Sequence, residues 1–306
     1  MLVYSLIVLI ILVLLPQEAF AWGPGMHTYV AMDVLAKLAI TTPIIKKLLE
    51  SFPNDFLYGA VSPDIVVGKK YVENMHHCHN WRVGWLILSE ARSDRQRAAA
   101  YGYLVHLAAD TVAHNYYIPY KVVRSYKARM LSHTYWEMRF DLGLPEKVWK
   151  KLDSISEHDS HEFDLLLDRV LRKTIFSFKT NKRIFSSILA LQKMRGLRDG
   201  LKIYDKRSRW KVEKENRMHY LDLTLEAVEE FIKKPNYAGC LDVDPTGISR
   251  LTYAKNLRRR MKALYIRGVL KESSADTLIE LVRERLAVGL YMPDLILPDV
   301  TDVLFV

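Results

Sequence analysis

YGYLVHLAADTVAHN, residues 101–115, carries His106, Asp110 and His114 at intervals of four. The stretch is rich in alanine, and the spacing predicts a helix with three polar side chains stacked along one face. HTYWEMRFD, residues 133–141, repeats the i, i+4 interval with His133 and Glu137. Zinc takes imidazole nitrogen and carboxylate oxygen at about 2.0–2.2 Å, and a helix that offers two or three such groups on one face largely pre-forms a site.

The pattern extends in both directions from these helices. Seven of the ten histidines (27, 76, 77, 79, 106, 114 and 133) fall between Trp22 and Glu137. Together with Asp64, Asp110 and Glu137 they are enough to hold two or three zinc ions. Residues 59–68 (GAVSPDIVVG) read as a loop that delivers Asp64, because Ser-Pro-Asp disfavours helix there. Paired spacing separates these residues from ordinary histidines. His219 reads as a structural or surface residue, and His158 and His161 fall in a stretch, 157–164, that reads as a solvated loop.

Apolar positions follow helical spacing almost everywhere, so the chain is predicted to be all-α. Helices are expected at 26–49 (with a break at Thr41-Thr42-Pro43), 92–114, 130–142 and 216–234, and two lie within 162–201. Residues 235–247 (PNYAGCLDVDPTG) read as a linker, followed by helices at 248–270 and 275–290 and an apolar tail of strand-like or irregular character. This gives an all-α core at 22–235 with a C-terminal helical extension at 236–306.

Residues 1–15 are almost entirely apolar and are followed by Ala19-Phe20-Ala21, the pattern of a secretory signal cleaved behind Ala21. The run is short for a membrane span, and no Lys or Arg precedes it. Cleavage would make Trp22 the N-terminus, whose free amine and own carbonyl can close a chelate ring on a metal near His27. A retained segment would anchor the protein and remove that amine. Two cysteines, Cys78 and Cys240, do not make a disulfide framework. The net charge of +10 favours anionic partners, lipid head groups or nucleic acid. The basic run 255–271 (KNLRRRMKALYIRGVLK), from Lys255 to Lys271, reads as a solvated helix face that also allows contact with anionic lipid.

Trp22 after A-x-A, His27, the G-x-x-x-P-D loop, the H-x-x-x-D helix and the H-x-x-x-E helix, in this order, resemble the zinc-dependent phospholipase C family. That family includes bacterial phosphatidylcholine-preferring enzymes and the catalytic domain of clostridial α-toxins, with single-strand-specific nucleases as distant relatives. The resemblance implies a multi-helix bundle around a buried polynuclear site of three zinc ions. Asp64, His77, His106 and Asp110 would hold one ion, and His114, His133 and Glu137 a second. The Trp22 amine and carbonyl, His27 and a shared Asp110 would hold the third. His77 is chosen within the 76–79 cluster because Asn80 follows it by three residues, and His79 stands as the alternative. His114 follows Asp110 by four residues where relatives usually have six, and the family's choline-pocket residues have no match.

The implied activity is phosphodiester hydrolysis, with phospholipid at a membrane surface as substrate. Closely spaced divalent ions stabilise charge on phosphoryl oxygens and lower the pKa of bound water toward ~7. Asp64 is the candidate general base or water-positioning group as well as a ligand. A single-strand nuclease or nucleotidase would use the same metals on nucleic acid. A membrane-associated zinc-binding protein without turnover is the reading outside enzymes.

Overall fold

The computed structural model describes residues 22–66, 77–128, 133–171, 176–194, 196, 198–200 and 214–304. The signal reading at 1–21 and His76 lie outside the described residues, as does the side chain of His133. Among the described residues every regular element is helical, the all-α architecture expected from the sequence. None of these helices is long and apolar enough to cross a membrane.

Helix α1 (Pro24–Ala36) starts on a proline, whose missing N–H belongs to the unbonded first turn. The expected break follows: a 3₁₀ turn at Leu38–Ile40, then α2 (Pro43–Ser51), where the Thr42 hydroxyl accepts from the Ile45 amide at 3.4 Å. Helices α3 (Pro53–Val61) and α4 (Trp81–Ser89) were not expected. Each has nine residues, and in an apolar run that short the period cannot separate helix from other buried structure.

Helix α5 (Asp94–Val112) runs through the middle of the molecule. Ser93 caps it, accepting from the Gln96 amide at 3.2 Å. From Gly102 to Val112 every residue is buried, as for a helix covered on all sides. Its crossing with α3 depends on two glycines. A Cβ on Gly59 would lie 1.8 Å from the Ala99 carbonyl oxygen, and one on Gly102 would lie 2.0 Å from that of Phe56. Only hydrogen at both positions lets the two backbones come this close.

The helix expected to end at 114 runs further. It widens into a π turn at Ala113–Tyr117 and continues as α6 (Ile118–Arg124). Pro119 supplies the reason: it has no N–H for the Asn115 carbonyl, and its ring would crowd that carbonyl in a regular α-turn. The Asn115 amide group donates to the Thr111 carbonyl at 3.0 Å and to the Asp244 carbonyl at 2.9 Å, which pins the turn to the C-terminal segment.

The remaining helices are α7 (His133–Asp141), α8 (Glu146–Ser156), α9 (His161–Val170), α10 (Phe178–Lys193), α11 (Lys214–Lys233), α12 (Ile248–Ile266), α13 (Glu272–Val288) and α14 (Thr301–Leu304). The solvated loop expected at 157–164 is partly helix: His161 opens α9, and His158 Nε2 lies 3.1 Å from Asp55 Oδ1. Helix α12 packs on α6 and on the π turn, and α13 packs on the same two elements. Cys78 and Cys240 are buried and unbridged.

Candidate metal centre

Four donor groups converge between α3 and α5. Asp64 is carried by a 3₁₀ turn, Ser62–Ile65, directly after α3, rather than by an open loop. Pro63 fits the start of that turn for the same reason that proline fits the first turn of a helix. His106 Nε2 lies 3.2 Å from Asp110 Oδ2, 3.1 Å from His79 Nε2 and 4.0 Å from Asp64 Oδ1. His79 Nε2 lies 3.2 Å from Asp110 Oδ2 and 3.3 Å from Asp64 Oδ1. A tetrahedral ion with ligands at 2.0–2.1 Å sets its donors about 3.3–3.4 Å apart. The observed spacings fit that figure, and the set of two imidazoles and two carboxylates suits zinc.

Each imidazole is oriented through its other nitrogen. His106 Nδ1 lies 2.8 Å from the Ala60 carbonyl oxygen, which can only accept, so Nδ1 carries the proton and Nε2 turns its lone pair to the cluster. His79 Nδ1 meets the Cys78 thiol at 3.3 Å, and the Cys78 carbonyl accepts from Tyr103 Oη. Cys78 therefore supports a histidine instead of bridging to Cys240.

His79, the alternative to His77, has its Nε2 within 3.3 Å of donor atoms of Asp64, His106 and Asp110, whereas His77 groups with Cys78 and His79. His77 is half-buried, its ring centre 5.7 Å from that of His79, and its Nδ1 accepts the His79 amide at 3.1 Å. The Asn80 spacing that favoured His77 has another use here: the Asn80 side chain caps α4, accepting from the Arg82 amide at 2.8 Å. Replacing His79 with alanine is expected to reduce bound zinc and hydrolysis together, whereas His77→Ala should retain its metal. Zinc analysis of the two purified variants decides this, and equal loss in both would undo the assignment.

On the far side of Asp110, His27 Nε2 lies 3.3 Å from Oδ1, and the His27 ring stacks on His106 with centres 3.6 Å apart. Asp110 thus presents one oxygen to His79 and His106 and the other to His27. Neither oxygen receives a hydrogen bond of good geometry although both are fully buried, as expected for groups shaped around cations. The Trp22 indole is buried against Tyr117 and Phe140, and its Nε1 donates to the Ala109 carbonyl at 3.0 Å. This ties the entry of α1 to the residue before Asp110.

Asp141 was missed from the sequence. It lies one helical turn beyond Glu137, buried, and accepts from the amides of Gly25 (2.9 Å) and Met26 (3.0 Å). It thereby caps the helix that carries His27 from the helix that carries His133 and Glu137. Gly23 and Gly25 permit the approach, since a Cβ on them would fall 2.3 Å and 2.8 Å from Asp141 Oδ2. The available signal was the extension of the 133/137 spacing by four.

His114, in the π turn, has Nε2 4.0 Å from Asp110 Oδ2. Its backbone is pressed by Gly247, where a Cβ would fall 2.4 Å from the His114 carbonyl oxygen. Glu137 is buried in α7, which packs against α6. Lys121, in α6, is wholly buried, with its ammonium 5.2–5.8 Å from the ring centres of Tyr117, Tyr120, Trp136 and Tyr220.

Burial, with His27 beside it, lowers His106 to about 4, so its imidazole is neutral at neutral pH. Burial pushes Asp110 up, but His106 and His27 outweigh it and hold the carboxyl well below the usual carboxylate range. A neutral imidazole and an ionised carboxylate are the forms a divalent ion requires. Burial also raises Asp141 to about 7, a rise that the Gly25 and Met26 amides limit.

Residues 26–180, just over half of the chain, match the family model for zinc dependent phospholipase C. No curated protein and no solved structure matches. The matched span contains His27, Asp64, His77, His79, His106, Asp110, His114, His133 and Glu137. Its helical fold and buried His/Asp donors are those on which this chain's centre is built, and the chain belongs to the zinc-dependent phospholipase C family, hydrolases of phosphodiester bonds.

Proposed function

We propose that this protein is an exported phospholipase C that cleaves the head groups of phospholipids, with two to three zinc ions bound. The convergence of Asp64, His79, His106 and Asp110 is the observation that carries the reading. Zinc, when bound, supplies Lewis acidity toward phosphoryl oxygens and makes water more acidic. The chain's own residues do the rest. Asp110 would help to hold the metal, offering one oxygen beside His79 and His106 and the other beside His27. Asp64, at the end of a short turn, takes the proton of the attacking water. Ala60 and Cys78 hold the two imidazoles in register.

His114, His133 and Glu137 form the second metal position in this proposal. His27, Asp110 and the amine and carbonyl of Trp22 form the third, once cleavage behind Ala21 exposes that amine. The intact mass of the exported protein reports whether it begins at Trp22.

Native, chelator-stripped and zinc-restored protein should be compared on phosphatidylcholine, with single-stranded DNA as the paired substrate. The expected result is two to three zinc per chain, loss of diacylglycerol release on stripping, and recovery with zinc. Turnover of DNA alone would make the protein a nuclease. Bound zinc with neither activity would leave a membrane-associated zinc protein without turnover on these substrates.

A further inference from the structure

We propose that the turn joining α12 to α13 docks on an anionic phospholipid bilayer. Helix α12 begins at Ile248, one residue beyond the glycine that presses on the His114 backbone. It ends at Ile266, about 27 Å away at 1.5 Å per residue. The turn there is a Schellman motif: the Gly268 amide donates to the Tyr265 carbonyl at 3.0 Å and the Val269 amide to that of Leu264 at 3.0 Å, with Gly268 at φ 72°. In such a motif the residue after the glycine usually folds back on the helix. Here Val269 is 55% exposed and Ile266 is 72% exposed, so two branched apolar side chains form the tip.

The surroundings of this tip are cationic. Residues 255–271 contain seven Lys or Arg (255, 258, 259, 260, 262, 267 and 271) and no acid. Some are engaged: Arg260 pairs with Asp299 at 2.6 Å, and Arg258 and Lys262 reach the Ala128 carbonyl. Lys255, Arg259, Arg267 and Lys271 are exposed and, among the described residues, make no ion pair with an acid. Lys127 stands over the Tyr265 ring, 4.8 Å from its centre, and its pairing with Glu272 neutralises the nearest carboxylate.

An apolar tip ringed by unpaired cations has two complements to satisfy, hydrocarbon and negative charge. An anionic bilayer offers both, the tip entering the acyl boundary while the cations meet phosphate. A nucleic acid would satisfy the charge and leave Ile266 and Val269 in water. The surface belongs to the C-terminal extension, outside the metal centre, and its role does not depend on which phosphodiester the centre cleaves.

The test is sedimentation of the full exported protein with phosphatidylcholine vesicles, with and without phosphatidylserine, at two salt concentrations. Wild type is expected to bind the mixed vesicles more tightly, and added salt to weaken that binding. The pairs Ile266→Ser with Val269→Ser and Arg267→Glu with Lys271→Glu should each lose roughly tenfold or more in vesicle affinity. Both pairs replace exposed side chains, so unchanged melting temperature and zinc content confirm the fold. Variants that bind as wild type does, or a wild type indifferent to phosphatidylserine, would overturn the proposal. So would tighter binding of single-stranded DNA that is lost with the charge reversals but kept with the serines. Because sedimentation reads binding without turnover, a chain that sediments and does not hydrolyse counts against the phospholipase reading alone.

Discussion

Asp110→Asn is expected to cut zinc-dependent hydrolysis by roughly 10³-fold or more, about 4 kcal/mol of transition-state stabilisation, with most of the loss arising from missing metal. Asparagine has nearly the same shape, so packing within α5 should survive. What it cannot do is present an oxygen on both sides. Asp110 Oδ2 faces His79 and His106 at 3.2 Å, while Oδ1 faces His27 at 3.3 Å. An amide has one oxygen, and either rotamer aims an NH₂ group at His27 on one side or at His79 and His106 on the other. The loss of negative charge adds to this, since the carboxylate is held ionised beside His106 and His27. Zinc analysis with far-UV circular dichroism separates this outcome from misfolding. A folded variant that keeps full zinc content and activity would show that Asp110 is not shared between metals.

The helices that carry ligands were legible because their chemistry and their periodicity coincide. His106, Asp110 and His114 could be placed on one face from spacing alone, and the structure puts all three nitrogen and oxygen groups on the same side of α5 and its π continuation. The break at Thr42-Pro43 was equally legible, because a capping hydroxyl and a proline act locally. What could not be read is what depends on contacts across the chain. His79 rather than His77 lies beside Asp64 and Asp110, in a short turn held by Cys78, Tyr103 and the Asn80 cap, and no local pattern reports which of the two faces the cluster. Asp141 acquires its role only when residues 116 positions apart meet.

The π turn is an intermediate case. Pro119 is visible in the sequence, but whether a proline ends a helix or widens it depends on whether the next turn is buried. Here α6 is held by α12, and the helix continues. The C-terminal segment reaches the metal face in the same way, through Gly247 against His114 and Asp244 against Asn115, so its helices support the centre as well as extending from it.

Gly102→Ala should be strongly damaging for so small a substitution, lowering stability by about 3 kcal/mol and the melting temperature by roughly 6–12 °C. In an open helix the change would help, since alanine gains up to about 1 kcal/mol over glycine. Here the added methyl would fall 2.0 Å from the Phe56 carbonyl oxygen and 2.8 Å from the Ala60 amide nitrogen. Both are backbone atoms, so no side-chain rotation relieves the overlap and α3 must move away from α5. One turn further along the same crossing, the Ala60 carbonyl holds His106 Nδ1 at 2.8 Å. Separating the helices stretches that bond, frees the imidazole to rotate, and moves Asp64, which follows α3 directly, away from the cluster. Zinc content should therefore fall together with stability, which an overpacked site remote from the metals would not produce. Gly200→Ala is the matching control: an added methyl there meets nothing within 4 Å, and the melting temperature should hold or rise slightly. A Gly102→Ala protein with wild-type melting and full zinc would mean that the α3–α5 crossing is looser than 2.0 Å allows, and the positioning of His106 would then need another source.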